Sequence, residues 1–154
     1  MARVKASLTV PGRAAEAERV WYDPARWPSW IDGFGHVVAL EGDWPQRGAR
    51  LVWDSPPGGR GRVVEQVEHY ESRTGQVLAV EDERLEGTQR VTFEPGPESV
   101  RLTLALEYTL KDRSLGARVA DLVVERRRRG DALRRTLRRF ASELAAERQF
   151  GAAR

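Results

Sequence analysis

The stretch LGARVADLVVERRRRGDALRRTLRRFASELAAER, residues 115–148, decides the fold. Leu115, Val119, Leu122, Arg126, Gly130, Leu133, Leu137, Phe140 and Leu144 fall three or four residues apart, the spacing of one stripe along an amphipathic α-helix. No proline interrupts it. Thirty residues at helical rise span roughly 45 Å. A helix of that length depends on a broad apolar partner surface more than on its own propensity. Two positions break the stripe: Arg126 puts a charge where an apolar side chain belongs, and Gly130 leaves a gap. Either the helix lines a cavity at this level, or it kinks at Gly130 and turns Arg126 to solvent.

The partner surface is found upstream. Residues 3–10 alternate as a strand and Pro11-Gly12 ends it. Residues 13–22 form a short helix rich in Ala and Glu. Asp23-Pro24 stops it and starts a second, because Asp caps and Pro suits a first helical turn. Six segments of strand character follow, at about 34–42, 48–54, 61–71, 76–85, 88–94 and 99–110. Gly42-Asp43, Pro56-Pro57-Gly58-Gly59, Arg73-Thr74-Gly75, Glu86-Gly87 and Pro95-Gly96-Pro97 are the turn signals between them. Short turns without intervening helices predict an antiparallel meander. The fold class is therefore α+β: a curved seven-stranded antiparallel sheet, two short helices after the first strand, and a long C-terminal helix across one face. Residues 1–154 read as one domain.

Composition narrows the class. With 40% apolar and 32% charged residues the chain is an ordinary globular one. It has no cysteine, which excludes disulfides and thiolate metal sites. No apolar run reaches the roughly 20 residues of a membrane span, and MARVKASLTV is too polar for a signal peptide. A cytoplasmic protein, monomer or homodimer, is expected. The positive charge is local: eight Arg and one Asp lie between Arg126 and Arg139. A nucleic-acid surface is unlikely on composition, since no aromatic is interleaved for base stacking and Glu125 and Asp131 dilute the run. A solvated face whose long side chains cover apolar neighbours fits better.

The element order resembles the helix-grip fold of the START-like (SRPBCC) superfamily, which includes polyketide cyclases/dehydrases. The stretch Val20-Trp21-Tyr22-Asp23-Pro24-Ala25-Arg26-Trp27-Pro28-Ser29-Trp30, followed by Asp32-Gly33, is similar to the helix–turn–helix that those proteins carry after the first strand. The resemblance covers essentially the whole chain. It implies a deep cavity between sheet and terminal helix that holds an apolar or amphipathic small molecule. It implies no fixed catalytic set, since members range from carriers to cyclases.

The hairpins assign faces. A two-residue turn at Glu86-Gly87 pairs Leu85 with Thr88, Asp82 with Val91 and Val80 with Phe93. Val91 and Phe93 then face inward with Leu78, Val80, Asp82 and Arg84. The preceding strand contributes Val63, Glu65, Val67 and His69, and the last one Leu102, Leu104, Leu106, Tyr108 and Leu110. The inward face is mostly apolar with one polar cluster: Glu65, Asp82, Arg84 and Gln89, with Arg126 opposite. Such a cluster is either a closed ion-pair network or a polar anchor for a ligand's head group. Trp27 or Trp30 is a candidate for an aromatic wall or lid at the cavity mouth, with core packing as the alternative, and Trp53, which alternates with Leu51, is placed to reach inside.

The predicted ligand-binding set is thus Trp30, Trp53, Glu65, His69, Asp82, Arg84, Gln89, Tyr108 and Arg126. No catalytic residue, metal site or cofactor is predicted: there is no phosphate loop, no metal-ligand spacing and no nucleophile elbow. Binding of a small hydrophobic or amphipathic ligand, lipid- or polyketide-like, is the leading expectation. A polyketide cyclase or dehydratase, and a module that presents its Arg-rich helix face to an acidic partner, are the alternatives.

Overall fold

A computed structural model of the chain describes residues 1–111 and 118–152. Strand β1 (Ala2–Pro11) leads into α1 (Ala14–Trp21), a 3₁₀ turn (Pro24–Arg26) and the single-turn helix α2 (Trp27–Trp30). Six strands follow: β2 (His36–Glu41), β3 (Arg50–Asp54), β4 (Arg62–Glu71), β5 (Gly75–Glu81), β6 (Leu85–Pro95) and β7 (Ser99–Leu110). Helix α3 (Arg118–Ala152) ends the chain. The strands form one antiparallel sheet in the order β1-β7-β6-β5-β4-β3-β2: a meander closed by β1 pairing with the last strand. Helix α3 lies against β1 and β7 and touches α1 and α2. This is the helix-grip fold. Among the described residues no helix is long and apolar enough to cross a membrane.

The local sequence explains the turn that starts the second helical piece. The Asp23 carboxylate accepts from the amide of Ala25 at 3.1 Å, and Pro24 occupies a position where no donor is needed. The turn sets the indoles of α1 and α2 against α3. Phe140 is fully buried, with its ring 5.0 Å from that of Trp21 and 5.2 Å from that of Trp30, both at steep angles. Leu133, Leu137 and Leu144 are buried on the same stripe, as the spacing predicts. Leu115 and the side chain of Val119 lie outside the described residues.

Three expectations need correction. First, the β5–β6 turn is not Glu86-Gly87. Glu81 pairs with Glu86, Val80 with Gly87 and Leu78 with Gln89, so the chain reverses over Asp82–Arg84. Gly87 is a strand residue whose missing side chain permits close approach: a Cβ there would collide with the carbonyl of Glu107 on β7. The Asp82 carboxylate makes the real turn by accepting from the amides of Arg84 (2.8 Å) and Leu85 (3.0 Å). Each partner moves by an even number of residues, so the inward faces of β5 and β6 survive the error.

Second, His69 does not face inward. The β4–β5 register slips between Val67 and His69, leaving His69 exposed. Tyr70 takes the inner position instead, its ring 5.5 Å from that of Tyr22.

Third, Arg126 is exposed, and helix α3 runs unbroken through Gly130. N-terminal to Leu133 the buried stripe continues in steps of four, through Arg129 and Glu125, leaving Leu122, Val123 and Val124 exposed.

The cause of that rotation is Asp82, whose side chain is fully buried. Its Oδ2 accepts from Arg129 Nη2 at 3.2 Å and from Arg60 Nε at 2.9 Å. Arg129 Nε in turn donates to Glu125 Oε1 at 2.8 Å. One carboxylate thus joins the β5–β6 turn, the β3–β4 loop and α3. Burial alone would raise the Asp82 pKa, but Arg60, the amide of Arg84 and Arg129 outweigh it and hold the carboxyl below its ordinary 3.8. Burial and the neighbouring Arg60 charge pull the Arg129 guanidinium below its usual value.

Two measurements follow from this packing. Phe140→Ala should lower the unfolding free energy by about 3–4 kcal/mol, read by urea denaturation. Asp82→Asn leaves Arg60 without its carboxylate and Arg129 with Glu125 alone, and should cost about 3 kcal/mol at neutral pH. A carboxyl depressed in the folded state stabilises above its unfolded value of about 3.8 and loses that contribution as pH falls through the folded value. The gap between wild type and Asp82→Asn should therefore close as pH falls below about 3.8; an equal gap at neutral pH and in acid would show that the ionised carboxylate is not the anchor.

Candidate ligand cavity

Between the inner face of the sheet and the N-terminal half of α3 lies a cavity of about 470 Å³. Leu51, Trp53, Leu78, Leu104 and Leu106 form its floor. Trp21, Trp27, Trp30, Phe34 and Trp44 form an aromatic wall, and Leu133 closes it from α3. The polar lining is sparse and grouped. Arg60, Arg84, Glu125, Arg128 and Arg129 gather at one end, Asp32, Arg135 and Thr136 lie along the α2 side, and Glu65, Gln76 and Gln89 stand on the sheet.

The aromatic wall is held by its own polar atoms. Trp27 Nε1 donates to the carbonyl of Trp21 at 2.8 Å and Trp44 Nε1 to that of Tyr22 at 2.9 Å. Trp30 Nε1 is buried with no hydrogen-bond partner among the described residues. Asp32, just after α2, ties this wall to α3. Its carboxylate takes two bonds from Arg135, at 3.0 and 3.1 Å, and one from Arg139 at 3.1 Å, while its amide donates to Thr136 Oγ1 at 3.0 Å. The Arg-rich run is therefore partly structural: Arg129, Arg135 and Arg139 are clamps with named carboxylates.

On the floor, Trp53 and Glu65 sit diagonally on β3 and β4, since Leu51 is the direct partner of Glu65. Trp53 Nε1 donates to Glu65 Oε1 at 3.1 Å. Phe34 stacks on the Trp53 ring at 4.9 Å, and the Arg60 guanidinium lies over it at 5.4 Å. Burial raises the Glu65 pKa above its ordinary 4.5; the bond from Trp53 and the charge of Arg60 oppose that shift without cancelling it. Glu65 and Asp82, placed in one cluster by the sequence, have opposite environments: Asp82 is an ion-paired anion, whereas Glu65 is an acid biased toward its neutral form.

Of the nine residues predicted to touch ligand, the structure brings Trp30, Trp53, Glu65, Arg84 and Gln89 to the cavity. Asp82 lies behind the lining and acts on it through Arg60 and Arg129. Arg84 sits at the rim, its side chain 58% exposed, 3.8 Å from Glu125. Tyr108 is buried with its hydroxyl unpartnered among the described residues, and does not line the cavity. His69 and Arg126 face away, and His36 is exposed, so neither histidine of the chain lines the cavity. Among the described residues no group of side chains is arranged to hold a metal ion.

Sequence reasoning missed Arg60, Glu125 and Arg129. Arg60 carries no local signal, because it reaches the site from a loop. Glu125 and Arg129 had one: counting back from Leu137 and Leu133 in steps of four lands on both, and an i,i+4 Glu–Arg pair is a favourable helical unit.

No curated protein matches the chain in sequence. Solved structures do match in shape. The di-domain ARO/CYC StfQ from the steffimycin biosynthetic pathway aligns with a TM-score of 0.74 at 22% identity, over 96% of this chain and 51% of that one. DynU16, a putative protein of the dynemicin biosynthetic locus, aligns at 0.64 and 23% over 93% and 47%. The chain thus spans about half the length of these two. A START superfamily protein from Mycobacterium smegmatis aligns at 0.69 and 18% over 94% and 97% of the two chains. At these identities the likeness is one of fold. The sequence profile described as "Polyketide cyclase / dehydrase and lipid transport" matches residues 1–145, nearly the full length, and by that match the chain belongs to this family.

Proposed function

We propose that the protein binds a small amphipathic molecule, with an apolar or aromatic body, in the cavity beneath α3. The observation that carries this reading is the lining itself. A space of about 470 Å³ walled by indoles, Phe34 and leucines, with a few grouped polar atoms, has the size and character of a small-molecule site. Family membership supports the same class of ligand, lipid- or polyketide-like.

A second reading, chemistry on a bound polyketide-like substrate, draws on one observation: Glu65 is a cavity-lining carboxyl not committed to an ion pair. It ranks below binding because the other acids near the cavity, Asp82, Glu125 and Asp32, are held by arginines.

Gln89 offers a way to close the space without removing a core contact. It is half-buried, lines the cavity and makes no side-chain hydrogen bond among the described residues. Wild type should bind the apolar fluorophore N-phenyl-1-naphthylamine with enhanced emission, and Gln89→Trp should reduce its affinity at least tenfold while keeping the unfolding free energy within about 1 kcal/mol. Equal binding by both proteins would place the probe elsewhere and remove this cavity as the site.

A further inference from the structure

The carboxyl of Glu65 is divided by its surroundings. Oε1 accepts from Trp53 Nε1 at 3.1 Å, which leaves Oε2 as the oxygen to carry the proton when the acid is neutral. Oε2 makes no hydrogen bond among the described residues, and Glu65 lines the cavity. Glu65 is 8% exposed, and among the described residues Oε2 is not one of the sealed, unpartnered polar atoms of the core, so it is the oxygen that a bound molecule can reach. Its cross-strand neighbours, Leu51 on β3 and Val80 on β5, carry no polar side-chain atom. The indole also fixes the orientation, since Trp53 is itself 2% exposed and stacked on Phe34.

We propose that Glu65, oriented by Trp53, donates a hydrogen bond from Oε2 to a carbonyl oxygen of the bound molecule, so that the cavity selects apolar ligands that carry a ketone- or quinone-type acceptor. This rests on the reading of the cavity as a ligand site and narrows it. A carboxylate at the same place would repel such an oxygen, which makes recognition depend on Glu65 holding its proton. The other charged groups lining the cavity are Arg60, Arg84, Glu125, Arg128, Arg129, Arg135 and Asp32, with Asp82 behind Arg60 and Arg129. Arg60 is the one that acts on Glu65, and it favours the anion. Burial opposes it and prevails, so the acid stays neutral above its ordinary range. The Glu125 and Asp32 carboxylates are held by Arg129 and by Arg135. Gln76 is already committed, donating to the carbonyl of Pro45 at 3.1 Å.

The test uses two naphthalene fluorophores of similar bulk. Prodan carries a ketone; N-phenyl-1-naphthylamine carries none. For wild type, Prodan affinity should fall about threefold to tenfold as pH rises above the ordinary carboxylate range, while that of N-phenyl-1-naphthylamine stays level. Glu65→Gln keeps a donor that does not titrate, so it should bind Prodan at every pH. Glu65→Leu should bind Prodan weakly at every pH yet retain the ketone-free probe, which also reports that the variant is folded. Prodan binding that is equal in wild type, Glu65→Gln and Glu65→Leu would overturn the inference and leave the cavity standing. A parallel loss of both probes with pH would overturn it too, because it reports a cavity failing as a whole. If wild type binds neither probe, the cavity reading falls and takes this one with it.

Discussion

The Asp82 carboxylate is the constraint on which the upper half of the molecule depends. It shapes the β5–β6 turn through two backbone amides, and its second oxygen holds Arg60 and Arg129. Three segments far apart in sequence are thereby fixed around one point. A buried ion pair of this kind is weak evidence for net stability, because desolvation offsets much of the attraction. Its effect is positional. By giving Arg129 a partner inside the grip, it makes an arginine the inward residue of α3 and turns Arg126 and the neighbouring aliphatics outward.

At the other end, α3 is held by packing. Phe140, Leu137 and Leu144 close on Trp21 and Trp30, and apolar burial there needs no exact partner. Between the two anchors, Asp32 and its arginines keep α2 against the helix. The cavity lies where neither kind of contact fills the space. Its charged groups are mostly by-products of these anchors; Glu65 and the amides of Gln76 and Gln89 stand outside them.

What could be read from the chain follows from this division. The stripe from Leu133 to Leu144 is apolar and periodic, and the strands alternate, so sheet, helix and their facing sides were legible. The aromatic piece around Asp23-Pro24 was legible for the same reason, since its cap is written in adjacent residues. The site was legible where it inherits those faces, at Trp53, Glu65, Arg84 and Gln89, and at Trp30 in the aromatic piece. His69 was lost to a bulge, which leaves no mark in an alternating pattern. Gly87 misled because a glycine needed for close approach looks like a glycine needed for a turn. Arg126 was chosen over Arg129 because the partner that decides between them, Asp82, lies 47 residues away.

The two ways in which α3 is fastened have an evolutionary consequence. Most of the apolar burial of α3 lies in its greasy half with the indoles, so substitutions over the charged half that leave Asp82 and its arginines in place bear mainly on what the chamber holds. A lineage can therefore revise the shape and polarity of the chamber one residue at a time while the hinge of the grip stays intact. Divergence of contents on a constant frame is what such an arrangement permits.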